Sequence, residues 1–143
     1  MANPFDPRSV FLARHAQHVV LIHFPIALFL MGVLLDVMAR IRGNIRLAAA
    51  AQVNLAAAAV SIIPTYLTGL LAWQFVLEGQ RLHGVLLYHV MLASATMVLV
   101  ITAWWVRSRT QLHPLASLSV ELVGAVCITI TAHLGGFLSG VNT

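Results

Sequence analysis

The chain has 143 residues, 60% of them hydrophobic and 8% charged, with a mean hydropathy of +0.92 and a formal charge of +4. So little polar surface excludes a soluble domain of this size, and apolar runs of about eighteen residues or more indicate an integral membrane protein. The arginines lie between those runs and there is no lysine, so nucleic-acid binding is excluded.

The first span is expected over residues 19–39. Its helix should begin earlier, at Asp6-Pro7-Arg8-Ser9, where Asp6 can cap and Pro7 suits the first helical position. Asp6, the lack of a small-x-small cleavage site and the length of the apolar run argue against a signal peptide. The opening stretch, HVVLIHFPIALFL, sets His18, His23 and Pro25 in an otherwise apolar run. Asp36 stands four before Arg40 and reads as its interfacial i,i+4 partner.

The second span is expected over 47–76. Its alanine stretches let backbones approach closely, and Pro64 predicts a kink and a tilt. Gln52 and Asn54 read as interhelical hydrogen-bonding groups. Arg81, His83 and His89 cluster around the start of the third span, expected over 84–105.

The fourth span is expected over 115–138. Glu121, near its start, most simply pairs with Arg42, Arg46, Arg107 or Arg109; the alternative is a proton-handling or quinone-site acid. Cys127 reads as a small buried apolar residue. As the only cysteine it excludes an internal disulfide, and without a CxxCH motif no c-type haem is attached covalently. His133 lies near the end of this span, and Gly135 and Gly136 read as its stop.

The connections RIRGNIR, LEGQRLH and VRSRTQLHP are short, so consecutive spans run antiparallel. The fold class is therefore all-α: an up-down-up-down four-helix bundle in a single transmembrane domain over 1–143. Arg40, Arg42, Arg46, Arg107 and Arg109 fall on one side, against Arg8, Arg14 and Arg81 on the other. This excess puts both termini outside, on the periplasmic face of a bacterial inner membrane. Trp73 then falls near the outer interface, and Trp104 with Trp105 near the inner one.

That threading gathers His18, His23, His83, His89 and His133 in the outer half, while His113 falls in an inner loop. At 1.5 Å per residue, His23, His89 and His133 share a layer roughly 7–13 Å deep. His18 and His23 point about 140° apart, and His83 and His89 about 120° apart, so each helix can offer one to the centre. His89 shares a face with Ala93, Thr96 and Ala103 and is the inward one of its pair. His133 shares a face with Thr129, Ala125 and Ser119, which is expected to be inner. On the first helix, His18 runs with Pro25, Gly32 and Asp36, and His23 with Ala27, Leu30 and Leu34. The proline can shift the phase, so either can face in.

Ionisable groups inside a membrane are costly and face inward for a purpose. Imidazole ligates haem iron, and bundle interiors hold cofactors between facing helices. The first and third helices are diagonal, so a haem b held non-covalently between His23 and His89 is the expected arrangement. His133 is an alternative ligand or a propionate partner, and His18, His83 and Arg81 are candidates to hold propionates. Alternatively, His23, His89 and His133 hold Zn, Cu or Ni for uptake or sensing. A third reading is a structural anchor with the histidines bonding between helices.

The same residues carry a resemblance. HVVLIHFPIAL resembles the His-Pro-x-x-x-His-Phe-Pro-Ile-Ala opening of a bacterial domain-of-unknown-function family of small four-helix membrane proteins. HLGGFLSGV resembles that family's closing His-x-Gly-Gly stretch, and His89 with Arg107 fits its third-helix histidine and following arginine. The likeness covers nearly the whole chain and is specific in the first motif. Val19 stands where the family has proline, and the Val-Tyr stretch after the paired glycines is missing. The family looks like a cytochrome-b-type haem binder, which implies His18, His23, His89 and His133 as site residues without saying which two meet iron. The expected role is electron transfer rather than stand-alone catalysis. The expected partners are a periplasmic cytochrome or redox subunit, quinone, and a second copy of the chain.

Overall fold

The computed structural model describes residues 7–75, 77–79, 81–109 and 114–139, with side chains from His18 onward. Asp6, expected to cap the first helix, and His113 lie outside the described residues. Four helices make up the fold: α1 (Pro7–Arg42), α2 (Ile45–Phe75), α3 (Gly84–Ser108) and α4 (Pro114–Leu138). All four contain stretches long and apolar enough to cross a membrane. Neighbours in sequence pack on one another and α1 closes on α4, which leaves α1 diagonal to α3 and α2 diagonal to α4.

The link between α1 and α2 is two residues long. Gly43 takes a φ of 60°, the left-handed region in which a side chain is strained, and the amide of Asn44 closes back on Ala39 O at 3.1 Å. Asn44 then caps α2, its Oδ1 accepting from the amide of Arg46 at 2.9 Å. So tight a reversal sets α1 and α2 side by side as antiparallel neighbours.

Neither proline ends its helix. Pro25 is fully buried, and its missing N–H releases the carbonyl of Leu21. The hydroxyl of Thr65, on α2, approaches that carbonyl at 3.4 Å while also donating to Ser61 O at 2.8 Å. A neighbouring helix thus attends the backbone group that a membrane helix cannot leave bare.

One residue from each helix builds the middle of the bundle: Phe29, Leu55, Val100 and Ile128. Ala51, Ala58 and Ala59 keep α2 close to its neighbours, as small residues do where lipid supplies no hydrophobic drive. Glycines sharpen the fit. A Cβ on Gly124 would lie 2.8 Å from Cζ of Phe29, and one on Gly32 would lie 2.9 Å from the side chain of Leu55. Phe29 is fully buried and has nowhere to swing. Gly124→Ala is therefore expected to cost about 1–3 kcal/mol by overpacking, measured as a lower thermal midpoint in detergent.

Gln52 donates to Ser108 Oγ at 2.9 Å across helices, as the sequence suggests, but Asn54 turns back to Ala50 O in its own helix. The helix α4 runs through Gly135 and Gly136 to Leu138 instead of stopping there.

Asp36 is more than an interfacial partner. It is fully buried, paired with Arg40 of α1 and also with Arg107 of α3. Arg107 further reaches Ala48 O of α2 at 3.4 Å, so one guanidinium ties three helices together. Glu121 is fully buried with Ser117, whose hydroxyl donates to its Oε1 at 2.9 Å, rather than paired with an arginine at the interface.

Candidate functional site

The bundle opens at the end where α1 enters and α4 leaves. Here the helices enclose a cavity of about 400 Å³, within the roughly 300–1,000 Å³ typical of ligand sites. Its walls are mostly apolar: Ile22 and Ile26 of α1, Ile62 and Leu70 of α2, Leu86 and Val90 of α3, and Ile128 of α4. Set into them are Thr65, Tyr66, Trp73, Thr96 and Thr131, together with three histidines.

The phase of α1 decides which histidine turns inward. Pro25, Gly32 and Asp36 are all buried, so the stripe they share with His18 faces the bundle. His18 is half-buried, and its ring lies on the backbone of α2, with Cε1 3.0 Å from where a Cβ on Gly69 would be. Ala27, Leu30 and Leu34 are exposed, and His23 lies with them. His23 reaches the cavity's rim, but its Nδ1 turns back to Val19 O of its own helix at 2.7 Å.

On α3 the inward residue is His89, on one side with the buried Thr96, Val100 and Ala103. Its ring lies on α4, with Cε1 3.1 Å from where a Cβ on Gly135 would be. Two helices thus carry an imidazole each into the cavity, and a glycine on the neighbouring helix makes room for each ring.

The inner face of α4 differs from the one expected. Ser117, Glu121, Gly124 and Ile128 are buried, whereas Ser119 and Thr129 are exposed. The polar carboxyl and the glycines dictate that phase, because each needs the bundle interior. His133 consequently points outward, exposed and edge-on to Phe137 with ring centroids 5.3 Å apart. His83, the N-cap of α3, and Arg81 are exposed and lie outside the cavity walls. The structure therefore brings His18 and His89 together with His23 at the rim. It does not gather His23, His89 and His133, and no group of three metal-ligating side chains forms among the described residues.

Hydrogen bonds set the chemical state of the inward pair. His89 Nδ1 lies 3.1 Å from Thr131 O, a carbonyl that can only accept, so Nδ1 carries the hydrogen. His18 Nδ1 lies 3.1 Å from Thr68 Oγ1, whose own hydrogen goes to Thr65 O at 2.8 Å. Thr68 must therefore accept from His18, and that Nδ1 is protonated too. A neutral ring held in this way would carry its lone pair on Nε2, the form in which imidazole binds a metal. Thr96 and Thr131 exchange a further hydrogen bond of 2.9 Å beside His89. Tyr66 is held in the wall by Ser94, at 2.7 Å.

Sequence reasoning missed Thr68, Thr131, Gly69 and Gly135. The signal was present in TYLTG and TAHLGG, where a threonine and a glycine sit at cavity depth on the helices facing His18 and His89. Without knowing which helix faces which, these read as ordinary packing.

A bundle of four spanning helices around a histidine-lined cavity defines a small integral membrane protein. Residues 14–141 match the family described as predicted membrane protein (DUF2231), and the chain belongs to it. No curated protein and no solved structure matches the chain.

Proposed function

We propose that the chain is a membrane b-type cytochrome. It holds one haem non-covalently in the cavity, with His18 and His89 as axial ligands. It passes single electrons between a periplasmic partner and the quinone pool or a larger respiratory complex. The cavity end then faces the periplasm across a bacterial inner membrane, the orientation that the arginine distribution favours.

The observation that carries this reading is the paired tautomer. Imidazoles on diagonal helices border one apolar cavity, and each has its Nδ1 within hydrogen-bond distance of a threonine oxygen, which would place a neutral ring's lone pair on Nε2. His18 takes the place first expected of His23, because α1 turns His18 inward. Gly69 and Gly135 let the rings sit against the helix backbones. When bound, the haem iron supplies a reversible one-electron couple. His18 and His89 would hold the group from two helices, and with both bound no position would remain for a substrate, which favours electron transfer over catalysis. The apolar walls exclude water, which with the axial pair tunes the potential.

A visible spectrum of the detergent-purified chain tests this. A Soret band that shifts on adding dithionite supports it. A colourless preparation with bound zinc, copper or nickel replaces it with a divalent-metal site, and a colourless, metal-free one with a structural anchor. Thr68→Val removes the acceptor on His18 and is expected to weaken haem binding about 10–100-fold, measured by haem titration of the apoprotein.

A further inference from the structure

A second polar cluster is sealed into the opposite end of the bundle. Asp36 is fully buried, and its two oxygens are taken by Arg40 and Arg107. Glu121 is also fully buried. Its Oε1 accepts the Ser117 hydroxyl, while its Oε2 has no hydrogen-bond partner and no exposed surface. The charged groups acting on Glu121 are Asp36 and Arg40 from α1 and Arg107 from α3. The diagonal helix α2 carries one charged residue, Arg46, which is exposed at its start.

Neither charge state of Glu121 is comfortable. With Asp36 ionised and both arginines charged, the cluster without Glu121 carries one net positive charge. Ionised Glu121 neutralises it but leaves a carboxylate oxygen buried without a donor. Neutral Glu121 lowers that penalty to that of a buried hydroxyl without an acceptor, but leaves the net charge in the bundle. Such opposed costs are what an exchangeable proton resolves. On the Asp36 and Arg107 side of the cluster lies an opening of about 270 Å³, bordered also by Arg40, Asn44 and Ala48; Glu121 itself does not line it.

We propose that Glu121 is a proton-binding site inside the bundle, taking up a proton at Oε2 and returning it to water at this end through the opening beside Asp36 and Arg107. Each cycle moves one proton between solvent and the carboxyl group, and the cluster alternates between neutral and singly positive. This holds whether or not the cavity at the other end takes haem.

Infrared difference spectra of the full chain in lipid nanodiscs, recorded from acidic to alkaline pH, test it. The chain has only four acidic side chains, so subtracting the Glu121→Gln spectra isolates this one. The expected result is a carboxylic-acid C=O band present at acidic pH, lost at alkaline pH and missing from Glu121→Gln. A Glu121 band constant across the range, or absent throughout, overturns the proposal. Should Glu121→Gln fail to fold, Ser117→Ala retains the carboxyl but removes the donor to its ionised form, so the band should persist to higher pH; an unmoved midpoint overturns the assignment. Ala48→Leu narrows the opening and should slow the deuterium shift of the band in D2O, and an unchanged rate rejects the route.

Discussion

If the chain holds haem as proposed, alanine in place of His18 or of His89 is expected to abolish the Soret band and the haem content, whereas His23→Ala and His133→Ala keep both. Each of the first two substitutions takes away one of the two inward imidazoles and leaves the other alone on its side of the cavity. Outer-sphere changes at metal sites already cost about 10–100-fold in affinity, and loss of a ligand should exceed that. His133 is exposed and turned toward Phe137, and His23 is exposed and bonded to its own helix, so neither removal empties the cavity wall. Haem content per protein and the reduced-minus-oxidised spectrum measure the outcome. If His23→Ala removes the haem and His18→Ala does not, the ligand on α1 is the other histidine and the rotation of that helix is misjudged. If none of the four changes the spectrum, the cavity is not the haem site.

Arg107→Ala is expected to destabilise the bundle by about 3–5 kcal/mol, the usual cost of leaving one partner of a buried ion pair uncompensated. Asp36 has no exposed surface, and Arg107 is its link to α3. Arg40, the more exposed partner, lies on the same helix as Asp36 and cannot replace the tie between helices. Asp36→Ala is expected to be as damaging, because it strands two guanidinium groups at once. Arg40→Ala should cost less, since its side chain lies partly at the surface. Combining Asp36→Ala with Arg107→Ala should cost less than the sum of the singles, because removing both partners strands less charge. Thermal or denaturant unfolding in mixed micelles gives the values. An Arg107→Ala protein as stable as the parent would mean that the pair contributes nothing to holding α3 against α1.

The architecture is legible in the residues alone. Four apolar runs of spanning length, separated by short arginine-bearing links, permit little besides an antiparallel bundle, since lipid forces every backbone group into helix and short links force neighbours together. The sequence also marked His18 and His89 among the candidates, because ionisable side chains stand out against so apolar a background.

Which faces meet is set by the packing of the four helices. Helical phase is a matter of tens of degrees, and the apolar residues of a membrane helix do not reveal it: lipid and bundle core are equally apolar, so the amphipathic pattern that orients a soluble helix is missing. On α1 the choice between His18 and His23 came from the burial of Pro25, Gly32 and Asp36 along one stripe. On α4 the burial of Glu121 and Gly124 turned His133 out to lipid. The hydrogen bonds that assign the lone pairs, Thr68 to His18 and Thr131 to His89, join residues 50 and 42 positions apart. No local rule reaches across that separation, so the cavity's chemistry exists only once the helices have packed.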